Sequence, residues 1–265
     1  MYLKAERSLA MKFHSELSRG LVLLAATVLM VASTGWAADQ KKDESDINKR
    51  IAKSAEVLDD IMGTPDKAIP DKVMSDAECI AVVPSMVKIA VGFGGNHGKG
   101  VATCKTEKGW SAPAPITVTG GSFGLQLGGQ AVDLVMVITN EKGMQHLLSS
   151  KFKIGANASA AAGPVGRDAA ADTDWKMKAE VLTYSRARGV FAGVDLNGAA
   201  VTQDKDETRI LYGKMEPFAD ILSGKVPAPD SSEPFLATVK KYAMQAKEQG
   251  RLAQPATHDN TANAH

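Results

Sequence analysis

Five consecutive residues, Gly120-Gly121-Ser122-Phe123-Gly124, match the G-x-S-x-G pattern in which a hydrolase presents a nucleophilic serine. That chemistry needs the serine on a strained strand-to-helix turn, with an acid and then a histidine later in the chain. Asp133 and His146 supply the order. The residues after the serine argue otherwise: Leu125-Gln126-Leu127-Gly128-Gly129 alternates and ends in two glycines, which opposes a helix and suits a strand bend. A serine hydrolase using Ser122 is the alternative reading, and a glycine-rich bend the leading one.

The run Gly92-Phe-Gly-Gly-Asn-His-Gly-Lys-Gly100 invites a phosphate-loop reading, because backbone amides in glycine loops cradle anions. The spacing fails. A Walker loop needs glycine at Phe93 and a hydroxyl residue at Gly100, and a dinucleotide fingerprint needs glycine at His97. A tight hairpin around Asn96 is predicted instead. The five histidines (His14, His97, His146, His258 and His265) include no pair at metal-ligand spacing, so neither a metal nor a cofactor is expected.

The remaining groups with chemical potential are cations. Lys49, Arg50 and Lys53 cluster on a first helix; Lys151 and Lys153, Lys176 and Lys178, and Arg186 and Arg188 are spaced by two. Strand residues two apart share a face, so each pair would present two cations to a phosphate-bearing surface. These nine are the candidate lipid contacts, and a solvated strand face is their bland alternative. Cys79 and Cys104 have no metal partners nearby; they are either a disulfide or two buried thiols in facing strands.

The elements that position these residues follow from periodicity. Ile47, Ile51, Ala55, Leu58 and Met62 recur at helical spacing, ended by Gly63 and Pro65. That stripe suits packing on a sheet or lying in a membrane interface. Pro70 to Ala77 reads as a second short helix. β-branched runs then follow at 79–83, 87–93, 100–104, 116–119, 125–127 and 132–138. Eleven of the 24 glycines fall between Gly92 and Gly129, which marks bends and close backbone approach rather than helix. The fold class is α+β: a strongly curved, glycine-rich antiparallel sheet, barrel-like, with flanking helices. A helix at 141–149, strands at 151–154, 178–185, 189–196 and 199–203, helix between 204 and 224, and a terminal helix at 235–249 complete the order.

The ends set the compartment. Lys4, Arg7, Lys12 and Arg19 precede an apolar run from Leu21 to Ala32, then small residues around Gly35 and Ala37. This is the order of a cleavable signal peptide, and the run is shorter than the ~18–20 residues of a spanning helix. Cleavage is expected near Ala37, giving a periplasmic or secreted protein. The expected division is 1–37 signal peptide, 38–44 linker, 45–225 domain, 226–254 Pro-rich linker and C-terminal helix, and 255–265 disordered tail. Residues 1–37 carry four basic and two acidic side chains, so the remainder has 27 basic against 28 acidic residues. That balance opposes nucleic-acid binding by bulk charge.

Seven blocks in one order resemble the SYLF domain family. They are Cys79-Ile-Ala-Val-Val-Pro84, Gly92-Phe-Gly-Gly95, Gly109-Trp-Ser-Ala-Pro113, Gly120-Gly-Ser-Phe-Gly124, Gln130-Ala-Val-Asp-Leu-Val-Met136, Leu148-Ser-Ser-Lys-Phe-Lys-Ile-Gly155 and Tyr184-Ser-Arg-Ala-Arg-Gly189. The resemblance implies lipid binding without catalysis, with phosphatidylinositol-type ligands in eukaryotic members and actin regulation in yeast ones. Combined with export, it implies an anionic phospholipid or membrane surface as partner. A structural envelope protein with a protein partner is the further alternative.

Overall fold

The computed structural model describes residues 46–64, 69–91, 93–123, 128–149, 151–155, 158–165, 179–187, 190–191, 196 and 198–253. The expected signal peptide, the linker at 38–44, the tail at 255–265 and the strand at 125–127 lie outside them. Helix α1 (46–62) and the short helix α2 (Asp71–Ser75) precede strands β1 (Cys79–Val91), β2 (Phe93–Thr106), β3 (Gly109–Trp110), β4 (Ala114–Phe123) and β5 (Gly128–Ile138). Next come α3 (Glu141–Leu148), β6 (Lys151–Lys153), β7 (Ala160–Ala162), β8 (Val181–Ala187), β9 (Val190–Phe191) and β10 (Ala200–Gln203). Helices α4 (Lys205–Tyr212), α5 (Phe218–Leu222) and α6 (Glu233–Ala253) close the order.

Eight strands pair in the order β6-β10-β4-β2-β1-β5-β8-β7, with β3 on β2 and β9 on β8. Laid flat, the edge strands of eight would stand about 34 Å apart, at ~4.8 Å per interval. Yet Lys153 and Ala160, which end one edge and begin the other, are seven residues apart and can span at most ~25 Å. The sheet must curl, and it forms a half-barrel. The Gly155 N–H donates to the Ala158 carbonyl (2.7 Å), and Ile154 bridges Ala158, drawing the edges closer. Pairing among the named strands is antiparallel, as expected, with the short edge strand β7 running parallel to β8.

Glycine makes the curl possible where backbones meet side chains. A Cβ on Gly100 would strike the Val82 carbonyl, and one on Gly163 the Tyr184 ring. Strand β1 was expected as two strands. It runs through Pro84, which lacks a ladder N–H, by a bulge in which Ser85 takes φ 51° and donates its N–H to Asp133 Oδ1 (2.9 Å). A hairpin was expected at Asn96, but Asn96 lies within β2 opposite Lys88 and Gly120, and the β1–β2 pairing continues to Val91 opposite Phe93.

Both faces of the central strands are buried. Cys79, Ala81, Val83, Ala102, Leu134 and Met136 point to one core with α3 and α5. Ile80, Val82, Val101, Val135 and Val137 point to the other, against α1 and α6. All five residues of the α1 stripe are buried there, so that face packs on the sheet. Helix was expected throughout 204–224. Gly213, at φ 71°, ends α4, and Pro217 starts α5, so two helices form.

Candidate ligand-binding groove

The residues singled out for catalysis do not assemble. Ser122 lies within β4 opposite Gly94, in a strand rather than on a strand-to-helix turn. Asp133 accepts from Ser85 and approaches Arg186 at 3.9 Å, whereas His146 faces Glu180 at 3.8 Å. Among the described residues no three His, Cys, Asp or Glu side chains are grouped to hold a metal, and no helix is long and apolar enough to cross a membrane. Cys79 and Cys104 stand directly opposite across β1 and β2 and form a disulfide.

The basic candidates are dispersed. Arg50, on α1, pairs with Glu207 of α4, joining a network in which Lys99 contacts Asp204 (2.8 Å) and Glu207 (3.0 Å). Burial opposes ionisation of Asp204, but hydrogen bonds from Lys99, the Glu207 N–H and the Thr117 hydroxyl outweigh it and hold its pKa below the usual value. Burial likewise opposes the Lys99 charge, and its two carboxylate partners raise its pKa in spite of that. Arg186 pairs with Asp60, ten residues along α1 from Arg50 and so about 15 Å away along the helix. Lys53 bonds Glu56 (2.7 Å), and Lys49 is exposed on the same helix. The backbone of β6 carries Lys151 opposite Thr202 and the exposed Lys153 opposite Ala200. Lys176, Lys178 and Arg188 lie outside the described residues.

Ten described lysines and arginines pair with carboxylates in this way. Six others, Lys105, Lys108, Lys205, Lys240, Lys247 and Arg251, make no ion pair among the described residues, and four of them, Lys105, Lys108, Lys240 and Lys247, line one groove of about 820 Å³. Its volume falls within the ~300–1,000 Å³ of small-molecule sites. One bank is the β2–β3 hairpin. Glu107 and Lys108 form its two-residue tip, the Thr106 hydroxyl donates to the Gly109 carbonyl (2.9 Å), and Gly109 takes φ 119°. Lys105 and Trp110 are direct cross-strand neighbours there. The other bank is α6, where Leu236, Lys240, Ala243, Met244 and Lys247 recur at helical spacing along one side.

The floor is apolar: Met74 and Ala77 from the α2 region, Trp110, and Leu236. Met244 is 57% exposed at its margin. Three acids share the lining: Glu107 at the hairpin tip, between Lys105 and Lys108, and Asp230 and Glu233 just before and at the start of α6, so acid and base are separated only along the α6 bank. The disulfide anchors the hairpin bank. Lys105 follows Cys104, its N–H donates to the Glu78 carbonyl (2.7 Å), and Cys79 is two residues from Ala77. The four lysines escape sequence reading because one ends a strand, one lies in the turn after it, and two lie on a helix more than 130 residues later. The spacing of Lys240, Met244 and Lys247 was the local signal.

Comparison with known proteins gives a consistent result. The family described as "Ysc84: Las17-binding protein actin regulator" matches residues 119–242, from β4 into α6. The chain is 31% identical over 182 residues to Protein YSC84 of Saccharomyces cerevisiae, covering 67% of this chain and 39% of that protein. It is 28% identical over 214 residues to SH3 domain-containing YSC84-like protein 1 of Rattus norvegicus, covering 78% and 63%. The Xenopus laevis counterpart is 31% identical over 195 residues, covering 72% and 58%. The chain thus spans between two fifths and two thirds of these relatives.

Proposed function

The chain belongs to the Ysc84 (SYLF) domain family, and from that premise we propose that it is an exported, non-catalytic module that binds anionic phospholipid at the cell envelope. The observation that carries the reading is the partition of its cations. Ten cations elsewhere on the described surface pair with carboxylates, and four of the six that make no ion pair among the described residues gather around an apolar floor. Lysines near a membrane surface contribute about 1 kcal/mol each against anionic headgroups. Export is supported by the charged, apolar and small-residue order of residues 1–37, and the Cys79–Cys104 disulfide suits an oxidising compartment. Phosphatidylinositol-type lipids are one anionic class that the groove would accept.

Sedimentation with vesicles tests this. Binding is expected with phosphatidylcholine vesicles containing phosphatidylglycerol, is expected to be absent with phosphatidylcholine alone, and should weaken as salt is raised. Equal binding to both vesicles at low salt overturns the proposal. The family's description as a Las17-binding actin regulator favours a second reading, a protein-binding module. Co-purification of a defined protein partner together with no lipid would favour it.

A further inference from the structure

Resting on that reading, we infer that the groove between the β2–β3 hairpin and α6 takes one phospholipid molecule, its phosphate among the lysines and an acyl chain along the apolar floor. A flat basic face would suffice to sit on a bilayer. This feature is instead a trough with two opposed banks, each supplying two lysines: Lys105 and Lys108 from the hairpin, Lys240 and Lys247 from α6. Between them lie Met74, Trp110 and Leu236, with Met244 exposed at the margin. A free inorganic anion would leave that floor wet, and an uncharged chain would leave without an anion the four lysines, which outnumber the groove's acids Glu107, Asp230 and Glu233. An amphiphile with a phosphate at one end satisfies both.

The acids refine the orientation. Asp230 and Glu233 occupy the N-terminal end of the α6 bank, and Lys247 lies 14 residues beyond Glu233, about 21 Å along the helix. An anionic headgroup is repelled from the first end and attracted toward Lys240 and Lys247, so the chain points back toward Leu236 and Trp110. The disulfide, adjacent to Lys105, fixes the opposite bank.

The test is vesicle sedimentation of the whole exported chain with phosphatidylglycerol in phosphatidylcholine, together with titration by a soluble short-chain phosphatidylglycerol and by glycerol phosphate. Lys240→Glu with Lys247→Glu should weaken vesicle binding about 30-fold or more. Lys205→Glu with Lys214→Glu carries the same charge change away from the groove and should alter it less than about threefold. Met244→Glu should abolish uptake of the short-chain lipid. All five side chains are exposed, and unchanged thermal melts will confirm that the variants fold. Wild-type binding that the groove variants leave intact overturns this site but not the lipid reading, whereas failure of the wild type to bind anionic vesicles overturns both. Glycerol phosphate binding as tightly as the short-chain lipid, or an acidic peptide displacing that lipid at equal concentration, also overturns the single-lipid site.

Discussion

Replacing Cys79 and Cys104 together by alanine removes the covalent tie between β1 and β2 at a point where the two residues face each other. The bridge spans a sequence separation of 25, and closing a loop of that length reduces unfolded-chain entropy by about 3.5 kcal/mol. Both positions are at most 1% exposed, so the variant also loses two buried sulfurs from the core shared with Ala81, Ala102 and Ala114. For a domain near 200 residues each kcal/mol shifts the melting temperature by about 2–4 °C, which places the expected drop at about 7–14 °C. Circular dichroism melts of wild type, double variant and wild type with reductant measure it, and the reduced wild type, which keeps its buried sulfurs, should melt between the other two. The same loss loosens the hairpin bank at Lys105, so the folded variant should also bind anionic vesicles more weakly. A variant melting within about 2 °C of the wild type would refute the assignment of the bridge as a stabilising tether.

Asp204→Ala removes the cap that receives the Glu207 N–H and leaves partly exposed Lys99 with one carboxylate, costing about 2 kcal/mol in chemical denaturation. Because the Asp204 pKa is lowered in the folded state, its stabilisation is complete above the unfolded value of about 3.9 and is lost as pH falls through the folded value; the variant's acid limb should be flatter. The raised pKa of Lys99 works in the opposite direction: its contribution is complete below about 10.4 and is lost as pH rises beyond. Gly163→Ala forces a Cβ into the Tyr184 ring and should destabilise by about 1–3 kcal/mol, read from the denaturation midpoint. Ester hydrolysis should be absent from the wild type and from Ser122→Ala alike, since β4 holds that residue in a paired strand.

Much of this architecture was legible because local rules and tertiary packing agree. The α1 stripe of Ile47, Ile51, Ala55, Leu58 and Met62 has the helical period, and all five are buried. The glycine density between 92 and 129 marked a curved sheet, and Gly100 shows why: the Val82 carbonyl occupies the space a side chain would need. The turn at Asn96 misled because Asn-His-Gly has turn chemistry. The register was decided by longer-range pairing, which holds Asn96 against both Lys88 and Gly120. Clustering on the first helix nominated Arg50, and spacing by two nominated Arg186, without knowledge of the carboxylates that α4 and α1 bring to them. The groove was invisible for the complementary reason: it exists only after a hairpin and a distant helix are packed together.

Mass spectrometry of lipids carried through purification of the protein from its native source tests the central claim most directly. The expected result is an anionic phospholipid near one per protein chain, lost in Lys240→Glu with Lys247→Glu. Recovery of no lipid, or of the bulk lipids of the source cells in their ordinary proportions, would contradict it.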